Sequence, residues 1–196
     1  MIIGITGGVG AGKTAVLTYL KENYNACLLV ADDIAKDLLQ PQKEAGRKIR
    51  KLFPAELFEP DGTVKRAQMA DYIFHHPEMR TKQNDIVFPM VKKVIRQKIN
   101  ENREKEFIVV EAALLIEEHY DEICDVMWYI YSSEQKRTRR LMESRGYSRE
   151  RICAMMASQL TEEEFREGCD EVICNDGTLE ETYARINELL EKYRQR

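Results

Sequence analysis

At 196 residues and 43% hydrophobic content, the chain is long enough for one α/β core, and no apolar run approaches the length of a membrane-spanning helix. Lys and Arg total 30 against 34 Asp and Glu, a net charge of −4 that gives no electrostatic case for nucleic acid as a partner. The five cysteines contain no CxxC pair and the three histidines do not complete a zinc set with them, so buried thiols in a reduced, cytoplasmic protein without a signal peptide are expected.

Met1-Ile2-Ile3-Gly4-Ile5-Thr6 reads as a buried strand running into Gly7-Gly8-Val9-Gly10-Ala11-Gly12-Lys13-Thr14, the spacing of a Walker A phosphate loop. Glycines let the backbone turn its N–H groups inward as an anion nest, and a helix beginning near Lys13 adds its positive dipole end. Gly8, Val9, Gly10, Ala11, Gly12, Lys13 and Thr14 are therefore the candidate nucleotide-binding residues. Lys13 supplies charge for the outer phosphates and the Thr14 hydroxyl a ligand for Mg²⁺. The pattern Ala15, Val16, Leu17, Leu20 continues as a packed helix, the flank this motif requires.

Ala26-Cys27-Leu28-Leu29-Val30-Ala31 is a second buried strand with Asp32 and Asp33 at its C-terminal end. Ligands of doubly wound sheets bind beyond the carboxyl ends of strands, so one acid can face the loop while the other caps a helix starting at Ile34. From residue 40 to 102 the chain reads as helical pieces broken by prolines, among them a helix after Pro89 with Met90, Val91, Val94, Ile95 and Ile99 on one face. His75-His76 reads as a surface pair. Phe107 to Val110 is a third strand ending in Glu111, which is either a Walker B-type Mg²⁺ carboxylate or the cap of a helix from Ala112 to Glu118.

Asp125 to Tyr131 is the fourth strand, and the segment behind it is basic: Glu134 to Arg151 carries seven basic and three acidic residues, against one and six in Thr161 to Glu171. Arg137 and Arg140 share a helix face and can act as a mobile phosphate clamp, against the plain alternative of a solvated charged face. Thr161-Glu162-Glu163-Glu164 and Thr178-Leu179-Glu180-Glu181 have capping-box form. Between them Glu171 to Cys174 is the fifth strand, ending at Asn175. A last helix with Leu179, Tyr183, Ile186, Leu189, Leu190 and Tyr193 on one side covers the sheet.

Over nearly its whole length the chain resembles the dephospho-CoA kinases. The series runs from Ile5 through Thr14, then Ala31-Asp32-Asp33-Ile34-Ala35, Asp61-Gly62-Thr63 with Arg66, Pro89, Leu114-Leu115-Ile116-Glu117, Gln135 with Arg140, Gln159, and Asp170 through Asn175. It departs at Val30, where family members often carry Asp, at Phe88, Ala113 and Ser144. The resemblance implies a P-loop NTPase fold of class α/β, with a five-stranded parallel sheet flanked by helices. It implies a core over 1–39 and 103–196, a lid at about 134–160 and an inserted helical substrate subdomain at about 40–102. It also implies ATP-dependent phosphorylation, with Mg²⁺, of the ribose 3′-hydroxyl of dephospho-CoA, by a monomer or weak homo-oligomer without nucleic-acid or membrane partners. Asp32 matches the base, Arg140 a lid arginine and Asn175 a position near the ATP base. A nucleoside or nucleotide kinase shares the architecture, whereas a regulatory GTPase is disfavoured because no Asn-Lys-x-Asp sequence is present.

Overall fold

The structure, a computed structural model, describes residues 1–195. Its short runs of Ile, Val and aromatic residues form five strands: β1 (Ile2–Thr6), β2 (Cys27–Val30), β3 (Ile108–Glu111), β4 (Val126–Tyr131) and β5 (Glu171–Cys174). They lie in the order β2-β3-β1-β4-β5. β1 pairs in parallel with β3 and with β4, placing Ile5 opposite Glu111 and Thr6 opposite Tyr129. Strands such as β1 and β4 are buried on both faces, which is why they read as near-continuous apolar runs instead of alternating ones. The ends of β1 and β3 therefore come out side by side where the phosphate loop begins.

Two helices show how local signals and packing combine beside this sheet. α1 (Lys13–Tyr24) buries Val16, Leu17 and Leu20, and Asn25 ends it in the left-handed conformation with φ 51°. α9 (Leu179–Arg194) starts on the expected capping box at Thr178 and buries Thr182, Ile186, Leu189 and Leu190. Tyr19 of α1 stacks on Tyr183 of α9 with centroids 3.9 Å apart. The Tyr19 and Tyr24 hydroxyls both donate to Asn187 Oδ1. Leu179, expected on the packed face, is 45% exposed, because it is the first residue of the helix and the inward position one turn later belongs to Thr182.

The chain divides into two units, one of Met1–Leu29 with the chain from Asn102 onward, the other Val30–Glu101. The division thus falls about ten residues before the expected residue 40, since α2 (Ala31–Leu38) packs on α5 (Pro77–Glu101). Within the second unit α3 (Glu44–Leu52) and α4 (Arg66–His75) also pack on α5. α5 buries Val87, Val91, Ile95 and Ile99, a stripe at helical spacing. This helix does not begin after Pro89 but runs through it. Pro89 is exposed and removes one backbone hydrogen bond, while the buried stripe continues on either side of it.

Two further expectations give way. Residues 112–118 form turns, not a helix, with the Tyr120 N–H donating to Leu115 O at 3.0 Å and His119 at φ 51°. The segment carries no capping box of the kind that starts the six-residue helix Glu162–Glu167, and burial of Leu115 and Tyr120 decides its path. The cysteines are not all buried: Cys153 and Cys174 are exposed and the other three half-buried. Burial pushes the Cys124 and Cys169 thiols up to about 12. Completing the first unit are α6 (Glu134–Arg145), ended by Gly146 at φ 61°, α7 (Arg149–Ala157) and α8 (Glu162–Glu167). Among the described residues no helix is long and apolar enough to cross a membrane. Nor is there a group of three or more His, Cys, Asp or Glu suited to a metal.

Candidate active site

The loop from Gly7 to Gly12 divides its backbone groups by direction. Its carbonyls are taken by the protein. Gly7 O accepts from Lys13 Nζ at 2.7 Å, Gly8 O from the Ala11 N–H at 3.1 Å and Val9 O from Arg137 Nε at 2.9 Å. Ala11 O accepts from Asn175 Nδ2 at 2.7 Å and Gly12 O from the Ala15 N–H at 3.1 Å. By contrast, the N–H groups of Gly8, Gly10 and Gly12 have no hydrogen-bond partner among the described residues. α1 begins at once behind them with no side-chain cap and no acid in its first turn. Exposed donors at an uncapped helix start make an anion site. Gly12 has to be glycine: its φ is 91°, and a Cβ there would lie 2.2 Å from Asn175 Nδ2.

Lys13 Nζ also lies 3.7 Å from Glu111 Oε1, the two side chains being 18% and 13% exposed. The neighbouring ends of β1 and β3 produce that approach. Since no helix follows Glu111, its capping role falls away and its carboxylate is left facing the cation of the loop. Thr14, in the first turn of α1, is exposed. A hydroxyl and a carboxylate are the hard oxygen donors that suit Mg²⁺, so this donor set fits the ion.

Arg137 and Arg140 of the basic helix α6 are both turned to the carbonyl side of the loop. Arg140 Nη2 donates to Asn175 O at 2.8 Å, and its Nη1 reaches Ser132 Oγ at 3.2 Å and Ala11 O at 3.3 Å. Arg137 is half-buried, and burial lowers its pKa from the ordinary value. Asn175 is 2% exposed, and both ends of its amide are used: Nδ2 on Ala11 O and Oδ1 accepting from Thr182 Oγ1 at 3.1 Å. It braces the loop through Ala11 O. Asp176 accepts from Ser132 Oγ at 2.7 Å and from the Ser133 N–H at 2.9 Å, fixing the entry to α6. Burial alone would raise its pKa, but those hydrogen bonds outweigh it and hold the carboxyl below its usual range. Ser132, Asp176 and Thr182 carried no signal in the sequence beyond turn and helix-start residues, because their partners are distant in the chain.

Asp32 and Asp33 lie in the second unit, in the first turn of α2. That helix starts at Ala31, three residues earlier than expected, its N-cap is Val30 and no side chain caps it. Neither acid is therefore a cap, though both favour the positive helix end. Asp33 Oδ1 accepts from Lys36 Nζ at 2.8 Å. The Asp32 carboxylate is exposed and makes no hydrogen bond or ion pair among the described residues, so the two neighbours differ in availability.

Comparison with known proteins bears on what such a site serves. A family model described as dephospho-CoA kinase matches residues 1–181. A dephospho-CoA kinase of Carboxydothermus hydrogenoformans is 34% identical over 195 residues, covering 98% of this chain and 94% of that protein. Among solved structures, a Thermus thermophilus protein superposes with a TM-score of 0.84 at 27% identity, over 98% of this chain and 97% of its own. A dephospho-CoA kinase from Campylobacter jejuni shares the fold with a TM-score of 0.70 at 20% identity, covering 98% of each chain. On the family match over residues 1–181 and the 34% identity across 98% of the chain, the chain belongs to the dephospho-CoA kinase family.

Proposed function

We propose the residue roles by which this chain carries out the activity of its family, ATP-dependent phosphorylation of dephospho-CoA to coenzyme A, the last step of coenzyme A synthesis. The observation that carries the reading is the divided loop: carbonyls held by the protein, N–H groups of Gly8, Gly10 and Gly12 left open at an uncapped helix start. Those donors and Lys13 bind the phosphates of ATP and meet the charge that spreads over the transferred phosphoryl group. Val9, Ala11 and Thr14 complete the binding loop. Asp32 accepts the proton of the ribose 3′-hydroxyl as its oxygen attacks phosphorus, and the bond to the ADP oxygen breaks. Asp33 is held by Lys36 Nζ while the Asp32 carboxylate accepts no hydrogen bond, which supports Asp32 over Asp33 in this role.

Arg140 acts through the loop in this reading. By donating to Ala11 O it polarises the peptide that carries the open Gly12 N–H, and its second contact, to Asn175 O, ties it to the end of β5. Thr14 and Glu111 would hold Mg²⁺, which when bound neutralises phosphate charge. The enzyme works in the cytoplasm on two dissolved substrates, as a monomer or weak homo-oligomer without nucleic-acid or membrane partners. A net charge of −4 offers a polyanion no attraction.

The test is an acceptor panel. With ATP and magnesium the purified protein converts dephospho-CoA to CoA and leaves AMP, shikimate and free nucleosides untouched, and EDTA stops the reaction. Turnover of any other acceptor at an equal or faster rate overturns the assignment.

A further inference from the structure

Gln159 and Arg137 form a closed ring of hydrogen bonds around one loop residue. Gln159 Oε1 accepts the Val9 N–H at 2.9 Å and an Arg137 Nη2–H at 3.2 Å. Arg137 Nε–H in turn donates to Val9 O at 2.9 Å. The Val9 N–H belongs to the peptide before its Cα and the carbonyl to the peptide after it. Two successive peptide planes are thus held from outside, by residues more than a hundred positions away in the chain.

The ring has a firm base. Gln159 lies just past α7, its own N–H donating to Met156 O at 3.1 Å, and α7 is anchored by the fully buried Ile152. Arg137 lies flat on the loop, because a Cβ on Gly8 would be 2.5 Å from its Cζ. Gly8 is thus glycine to admit the guanidinium. Val9 is the residue whose N–H is taken by a side chain, beside Gly8 and Gly10 whose N–H groups are open.

We propose that Gln159 is a positioning residue for the phosphate loop: through Val9 and Arg137 it sets the direction of the neighbouring open N–H groups, without touching nucleotide itself. The inference rests on the reading that this loop holds ATP. A side-chain amide is suited to the task because one carbonyl oxygen can accept two donors and carries no charge to repel phosphate. The shorter asparagine cannot span the same distance.

The experiment compares Gln159→Leu, Gln159→Glu, Arg137→Met and the Gln159→Leu/Arg137→Met double variant by three readouts. These are ATP affinity by calorimetry with magnesium and no acceptor, KM for each substrate, and hydrogen exchange of the Val9 amide. Gln159→Leu keeps side-chain bulk but accepts nothing, so ATP affinity falls about tenfold, as expected for losing a hydrogen bond to a charged donor. KM for dephospho-CoA stays unchanged and the Val9 amide exchanges faster. Gln159→Glu keeps the accepting oxygen, so the Val9 amide stays as protected as in the wild type, while the added negative charge beside the loop lowers ATP affinity. The double variant is no worse than the weaker of the two single ones, because the residues act as a unit. The calorimetry needs no acceptor, so an error in the acceptor assignment leaves this pattern intact. Unchanged ATP affinity in Gln159→Leu, an equal rise in both KM values, unchanged Val9 exchange or additive losses in the double variant overturn the inference.

Discussion

Lys13 and Glu111 meet in a partly buried corner where β1 and β3 end together. The lysine ammonium lies between the Gly7 carbonyl and that carboxylate. Replacing it with methionine keeps the apolar stem and removes the charge. Lys13→Met is expected to lower turnover by about 10²–10³-fold, the range for deleting one preorganised donor, with the melting temperature nearly unchanged. Near-normal turnover in a coupled ADP-release assay would show that the loop does not hold the reacting nucleotide. The two adjacent acids differ more subtly. Asp33 pairs with Lys36 on the surface, whereas Asp32 has no such partner. Asp32→Asn should lower turnover at saturating substrates by about 10²–10⁴-fold, the usual contribution of a general base, while Asp33→Asn does much less. A larger loss for Asp33 moves the base one residue along.

At the scale of elements, the start of α9 serves both stability and the site. Thr178 Oγ1 accepts the Glu181 N–H at 3.3 Å, and Glu181 Oε2 accepts the Thr178 N–H at 2.8 Å. One turn in, Thr182 Oγ1 donates to Asn175 Oδ1, whose amide nitrogen holds Ala11 O of the loop. The cap therefore fixes the helix that positions a brace of the phosphate loop. Thr178→Ala should cost about 1 kcal/mol, which for a chain of this size lowers the melting temperature by about 2–4 °C. Calorimetric melting of the variant checks this, and an unchanged transition would mean the box contributes nothing here. α6 depends on a comparable device supplied from elsewhere: the Asp176 carboxylate after β5 accepts the Ser133 N–H at its start.

Across the whole molecule, acid stability follows from carboxylates held below their ordinary pKa. For Glu171, burial alone would raise the value, but hydrogen bonds from Lys192 and Tyr193 and the charges of Lys192 and Arg185 outweigh it. Asp176 is depressed by its serine donors against a similar burial effect. Unfolded Asp and Glu titrate near about 4, so at mildly acidic pH the unfolded chain binds more protons than the folded one. The stabilisation is complete above about pH 5 and is lost as pH falls through the lower folded values. Melting temperature should be flat from neutral pH down to about 5 and then fall. Glu171→Gln should flatten part of that fall. A wild-type melting temperature that rises on acidification below that point would contradict the sign.

What the sequence determined by itself is what neighbouring residues decide. The phosphate loop, the capping boxes at Thr161 and Thr178, the end of α6 at Gly146 and the limits of β5 all depend on contacts within a few positions, and all appear where the pattern places them. The tertiary structure alone decided the rest. Pro89 sits inside a helix because the buried stripe of α5 outlasts one missing hydrogen bond. Residues 112–118 turn because Leu115 and Tyr120 are drawn into the core. Arg137 and Arg140 of α6 donate to loop carbonyls some 130 positions away, as with Arg140 Nη1 on Ala11 O across 129 residues. Periodicity and capping carry no information about which distant carbonyl a guanidinium or an amide will meet. That choice is made only when sheet order β2-β3-β1-β4-β5 brings the ends of β4 and β5 beside the loop that follows β1.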